Sequence, residues 1–471
     1  MTTQNYNKTS IAALLLTGAF IAILNQTSMI TAIPPIMKEM HISANTGQWL
    51  TTVFMLVNGI MIPISAFLIE RFTTRQLFIS AMSIFAVGTL VCAIAPNFPI
   101  LLLGRIIQSS GAGIMLPLMQ TVFLLIFPVN RRGAAMGMVG LVISFAPAIG
   151  PALSGWVMAH YSWRMMFWII LPIALLDILL SSKALRNVTE LTNPKVDVTS
   201  IILSSFGFGG LLYGFTSAGN NGWGSEITVI TLIIGVVALV LFVLRQLRMS
   251  HPMLEFRVFK FFIFTLTTII GMIGFMGLIG VETLIPLYMQ NMRDFTAMES
   301  GLAILPGALV MGIMSPLTGR VFDRFGARWL AITGLIILTV STWAFSNLDT
   351  TTSFLYITIL YSIRMFGLSM VMMPATTAGL NQLPKRLIPH GAAMSNTMRQ
   401  VAASIGTAII ITVMTTTAEA TQQGKDVLQP MIYGVNVAMM VITVLSLIGV
   451  ALSFFIKKTY PPKEEIEDSK G

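Results

Sequence analysis

The chain has 471 residues, 55% of them hydrophobic and 10% charged, with a formal net charge of +10. A water-soluble chain of this length carries about a quarter charged residues, so the composition excludes an ordinary soluble protein and points to lipid as the solvent for most of the surface. The 28 Lys and Arg are scattered over many short segments, which argues against nucleic acid as their partner.

An apolar run of about 20 residues crosses the hydrocarbon core as a helix. Fourteen such runs are expected to span: 10–32, 46–66, 76–95, 100–125, 133–158, 164–182, 198–217, 226–246, 261–288, 301–320, 329–347, 353–380, 393–417 and 431–456. They are continuous rather than alternating, which favours an all-α membrane protein over a barrel.

In the first span Asn25 and Gln26 can hydrogen-bond a ligand or pack helix on helix. The nine residues before it are polar and the run is long enough to cross, so it reads as a helix rather than a cleavable leader. Trp49 opens the second span, and Glu70-Arg71-Phe72 follows it. The third holds the single Cys92, which can form no internal disulfide and reads as a packing residue. In the fourth, Arg105 is a charge that needs a cavity or a partner such as Gln108 or helix carbonyls. Met115 lies further along the same span, and Arg131 and Arg132 follow it. The fifth contains Phe145, Pro147, Gly150, Pro151 and Gly155, which permit the kink and close helix contact of a hinge. Asp177 in the sixth lies near a span end, where snorkelling or pairing with Lys183 is expected beside a role in proton coupling.

Spans seven and eight carry the run Gly207-Phe208-Gly209-Gly210, expected to serve close helix packing. No GxxxxGK sequence occurs, so ATP-driven work by this chain is not expected. Glu282 in the ninth span has no basic residue within ten positions and precedes Pro286 by one turn. An acid held in a poorly hydrated place can load and lose a proton near neutral pH, and a cationic cargo could compete for it. The bland alternative is a hydrated acid at the outer interface. Tyr288 follows in the same span, Asp323 and Arg324 close the tenth, and Arg364 and Met373 lie in the twelfth. Arg399-Gln400 in the thirteenth fits function or snorkelling equally. Met is abundant, at 33 residues, and it suits an adaptable pocket. Trp49, Met115, Phe145, Tyr288 and Met373 are the candidates to line one.

The chain repeats itself. Glu70-Arg71-Phe72 recurs 253 positions on as Asp323-Arg324-Phe325, Gly133-Ala134-Ala135-Met136 recurs 258 positions on at Gly391, and Arg105 recurs 259 positions on as Arg364. A parallel repeat of six spans places a solute site between two halves near the membrane midplane. The expected division is an amino-terminal bundle at 1–190, a two-helix insert at 191–258, and a carboxy-terminal bundle with a tail at 259–471. The acid in the same register of both loop copies suggests a gate of salt bridges, Glu70 and Arg71 with Asp323 and Arg324, reaching Arg131 or Arg132.

Charge sets the orientation. With both termini in the cytoplasm, 21 basic residues fall on that side and four outside: Lys38, Arg164, Arg293 and Lys425. That asymmetry follows the positive-inside rule. His41, His160, His251 and His390 fall in separate loops, so no metal site is suggested, and no HExxH or GxSxG points to an enzyme.

Taken in order, the motifs resemble the major facilitator superfamily and, within it, the fourteen-span drug:proton antiporters. They are the loop Ala66–Arg75 with its copy Gly319–Arg328, Leu101-x3-Arg105-x2-Gln108, Ala146-Pro147-Ala148-Ile149-Gly150-Pro151 with Gly155, Ser162-Trp163-Arg164, and Gln48-Trp49. The resemblance covers nearly the whole chain. It implies alternating access, a proton gradient in place of a cofactor, Arg105 on the proton path, an exporter signature in the fifth span, and a bacterial cytoplasmic membrane. The chain departs from the family at Asn25, where many relatives carry Asp; Asn cannot carry a proton, and Glu282 is the candidate to take over. The resulting expectation is a monomeric, proton-coupled exporter of lipophilic, cationic compounds. A carrier specific for one metabolite or antibiotic is the alternative.

Overall fold

The computed structural model describes residues 7–192, 194–422 and 428–457. Lys425 and the tail from 458 onward lie outside them. Fourteen helices long and apolar enough to cross a membrane account for nearly all the described residues. They are α1 (Lys8–Met40), α2 (Ala44–Arg71), α3 (Thr74–Ile94), α4 (Phe98–Ile126), α5 (Arg132–His160), α6 (Arg164–Ala184) and α7 (Val198–Asn221). α8 (Glu226–Arg248), α9 (Phe262–Met292), α10 (Ala297–Phe325), α11 (Ala327–Ala344), α12 (Phe354–Leu380), α13 (Ile388–Thr421) and α14 (Leu428–Ser453) complete them. Each expected span falls on one helix, and the spans overrun helix ends by three residues or fewer.

Helix starts follow from local chemistry. Side chains of Asn7, Ser43, Asn97 and Ser353 cap the first turns of α1, α2, α4 and α12. Thr73 with Gln76 and Thr296 with Glu299 form capping boxes for α3 and α10, so part of the set of orphan amides in these turns is satisfied by side chains. Gly326 joins α10 to α11 at φ 78°, a conformation that costs glycine least. Two of the four histidines lie on helices rather than in loops: His160 in the last turn of α5 and His390 in the first turn of α13.

The repeat is visible in the packing. α1 contacts α4, α5 and α6, α4 contacts α2 and α3, and α3 contacts α6. The same pattern recurs as α9 with α12, α13 and α14, α12 with α10 and α11, and α11 with α14. α7 packs tightly on α8 through Gly207, Gly210 and Gly235 and also touches α2 and α13. α8 is peripheral: 22% of its most apolar stretch is buried, against 83% for α4. Its exposed face of Ile230, Ile233, Val237 and Leu241 is what a lipid-facing helix presents.

Across the pseudo-twofold, α5 packs on α10 and α12, and α13 on α2 and α4. The closest approach is at the end that carries Arg71, Arg75, Arg131, Arg132, Arg324 and Arg328, here called the basic end. There the backbones of Gly133 and Gly319 meet so closely that a Cβ on either would overlap the other's carbonyl. Toward the opposite end α5 leans on α1 instead: Ser28 Oγ donates to Gly150 O at 3.2 Å, and Thr31 bonds Ser154. Gly155 there has nothing within reach of an added Cβ. The two halves therefore approach each other most closely at the basic end.

Candidate functional site

In the amino-terminal half Arg105 is fully buried. Its Nη1 donates to Asn25 Oδ1 and Gln108 Oε1, both at 2.6 Å, and its Nε donates to Leu50 O at 3.2 Å. The guanidinium lies 4.2 Å from the Phe54 ring centroid. Gln108 in turn donates from Nε2 to Thr89 Oγ1 at 2.8 Å. Arg105 is thus held by neutral oxygens and a ring face, both of which stabilise a cation; Nη2 has no partner. Asn25 and Gln108 are spent on this network rather than presented to a cleft.

In the carboxy-terminal half Arg364 is equally buried, and its Nε donates to Thr342 Oγ1 at 3.2 Å. Glu282, partly exposed, lies within electrostatic range of Arg364 and Tyr361. The two arrangements correspond. Asn25 and Glu282 are 257 positions apart on α1 and α9, Arg105 and Arg364 are 259 apart on α4 and α12, and Thr89 and Thr342 are 253 apart on α3 and α11. These separations match the loop repeat, so one polar residue, one arginine and one threonine recur on equivalent helices. A carboxyl stands in the second copy where the first has an amide. The offset from Asn25 to Glu282 was readable in the sequence and is the signal that links them.

The basic end is bound by other partners than sequence suggested. Glu70 Oε1 meets His390 Nε2 at 2.9 Å instead of reaching Arg131 or Arg132. His390 Nδ1 accepts from the Glu255 amide at 3.2 Å, so Nε2 carries the proton and donates to Glu70. His390, which joins both halves to the segment before α9, is a contact that sequence reasoning missed; its place in a helix first turn hid it among loop histidines. Asp323 accepts from the amides of Gly133 at 2.7 Å and Ala134 at 2.9 Å, placing a carboxylate on the amino terminus of α5. Arg132 Nη1 donates to Asn381 Oδ1 at 2.8 Å, and Arg71 Nη1 donates to Pro194 O at 3.3 Å. Arg131 and Arg324 sit exposed beside this seam, with the Arg324 guanidinium 5.2 Å from the Phe325 ring.

The remaining candidates separate. Asp177 neither snorkels nor pairs with Lys183: it is buried against Gly18 and Phe78 with both carboxyl oxygens unpartnered. Trp49 stacks on Tyr213 of α7 with ring centroids 5.7 Å apart. Tyr288 is buried and donates to Asp349 O, beside Arg293, so it ties α9 to the α11–α12 connection. Met373 is buried against Gly140 in the seam, and Met115 is buried in the amino-terminal core. Phe145, Pro147 and Gln26 are partly exposed and Pro151 is exposed, and the Phe145 ring packs against Gly312 of α10.

The family profile described as Major Facilitator Superfamily matches residues 15–407. The chain is 56% identical to an uncharacterized MFS-type transporter, YcnB, of Bacillus subtilis, covering 98% of this chain and 97% of that one. It is 44% identical to the lincomycin resistance protein LmrB of Bacillus subtilis over 97% of each chain. It is 29% identical to the multidrug export protein EmrB of Haemophilus influenzae, covering 83% of this chain and 78% of that one. Among solved structures, the human organic anion transporter MFSD10 superposes with a TM-score of 0.67 at 12% identity, covering 94% of this chain and 99% of the other. That likeness speaks for the fold alone.

Proposed function

We propose, from the premise that this chain belongs to the Major Facilitator Superfamily, that it is a proton-coupled exporter of lipophilic, cationic compounds working by alternating access. The chain is a multi-pass membrane transporter of small molecules with bacterial relatives in lincomycin resistance and multidrug export. The observation that carries the proposal is Glu282, a partly exposed carboxyl near buried Arg364, in the copy of an arrangement whose other member holds the uncharged Asn25. Each half then carries a buried arginine, and only the carboxy-terminal one sets a carboxyl at the equivalent position.

With the basic end in the cytoplasm of a bacterial cell membrane, a conformation closed at that end is the outward-facing one. A proton arriving from outside neutralises Glu282 and displaces a bound cation. The Gly133–Gly319 seam then parts, the site opens inward, and proton release readies it for the next cargo. The exchange needs only differential binding of proton and cargo to the two conformations.

The test is uptake of cationic dyes into inside-out proteoliposomes under an imposed pH gradient. The reading requires gradient-driven uptake, its loss in Glu282→Gln, and weaker binding of cationic dye by that variant; unchanged uptake in that variant overturns it. A narrower reading, one antibiotic rather than many compounds, is favoured by the 44% identity to a protein named for lincomycin resistance. Competition by chemically unrelated dyes separates the two.

A further inference from the structure

Arg399 of α13 is buried, with 5% of its surface exposed. Among the described residues no carboxylate pairs with it. Its Nη2 donates to Asn396 Oδ1 at 2.7 Å and its Nη1 to Thr376 Oγ1 at 3.3 Å. A guanidinium has five N–H donors, so Nε and one hydrogen on each Nη remain. Across the seam on α4, Gln120 is wholly buried. Its Oε1 accepts from Asn396 Nδ2 at 2.7 Å, and its Nε2 has no partner. The amide orientations are forced: only Asn396 Oδ1 can face the guanidinium, so Nδ2 faces Gln120, which must offer its oxygen.

The Asn396 amide therefore has spare donors on both flanks, from Arg399 on one half and Gln120 on the other. The place is also special along α13. Residues 388–397 are all buried, whereas 403–405 are partly exposed. Arg399 stands at the end of this buried stretch, beside the α4–α13 contact made by Asn396 and Gln120. An uncompensated cation and an orphaned amide donor in such a setting are both costly to keep. One negative charge accepting from both would offset the two costs together.

We propose that Arg399 and Gln120 form a site for a monovalent anion at the α4–α13 seam, either a small inorganic anion or the carboxylate of a cargo that also carries a cationic group. The second source rests on the exporter reading; the first does not. Because the donors come from opposite halves, a seated anion favours the conformation closed at the basic end, and parting the halves dismantles the site.

The experiment is thermal melting of the purified full chain in detergent, followed by tryptophan fluorescence, in sodium gluconate, chloride or benzoate at matched ionic strength. Chloride or benzoate should raise the midpoint over bulky gluconate by about 2 °C or more. The gain should vanish in Arg399→Gln, persist more weakly in Arg399→Lys, and need roughly tenfold more anion in Gln120→Leu. A gain from chloride assigns the inorganic source, and one from benzoate alone assigns a cargo carboxylate. Equal melting in the three salts, or a gain that survives in Arg399→Gln, overturns the proposal. Should Arg399→Gln fail to fold, Gln120→Leu decides it, since its charge is unchanged. Melting needs no transport, so failure here leaves the exporter reading intact, and failed dye uptake leaves this site intact.

Discussion

Asn25 of α1 and Arg105 of α4 are joined by a 2.6 Å hydrogen bond in the amino-terminal half, on the helices that correspond to those carrying Glu282 and Arg364 in the other half. Substituting Asn25→Asp would place a carboxylate against a guanidinium that has no acidic partner among the described residues. The double variant Asn25→Asp, Glu282→Gln should therefore recover part of the gradient-driven dye uptake that Glu282→Gln loses. Uptake no better than in the single variant would break the proposed equivalence of the two sites.

Asp323 on the amino terminus of α5 holds the basic end shut through two charge-assisted hydrogen bonds, at 2.7 and 2.9 Å. Asp323→Asn keeps the size and loses the charge, at about 1.5 kcal/mol. The ratio of closed to open conformations should fall about tenfold. Thiol labelling of a cysteine introduced at Ser315, beside Gly137 in the seam, should speed up accordingly.

The seam between Gly133 and Gly319 leaves no room for a side chain. Gly133→Val should prevent closure at the basic end while leaving expression and membrane insertion close to normal, because α5 keeps its other contacts. Transport should be abolished while the site stays reachable from the basic side.

Asp197, the N-cap residue of α7, is bound by both Nε and Nη2 of Arg245 at 2.8 and 3.0 Å and also by Ser200. Those partners hold its carboxyl down at about 2, below the unfolded value of about 3.9. A depressed carboxyl contributes stability that is fully present above the unfolded value and is lost as pH falls through the folded one. Melting temperature should thus decline between about pH 4 and 2, and Asp197→Asn should flatten that decline. The effect is modest, about 1 kcal/mol or less, since Arg245 is largely in solvent.

His390 Nε2 donates to Glu70, and its Nδ1 accepts from the Glu255 amide. His390→Gln keeps one donor and one acceptor and should retain transport, whereas His390→Leu leaves the buried Glu255 amide unsatisfied and should lower the melting temperature as well as uptake.

Much of this protein was legible before any coordinate. Fourteen apolar runs fix fourteen helices, because lipid offers backbone amides no partner outside a helix. The repeat at 253 to 259 positions determined which helices correspond, since two six-helix copies keep nearly the same spacing between matching positions. Glu282, an acid in an apolar run, declared itself by its cost. What only the tertiary structure decided is pairing. Glu70 meets His390 320 positions away, Gln120 meets Asn396 276 positions away, and Gln108 and Asn25 turn inward to hold Arg105. Periodicity tells which face of a helix is apolar, but fourteen helices share the same oily code, so nothing along the chain says which polar side chain finds which across the bundle. That depends on packing distances of a few ångströms, set when all the helices come together.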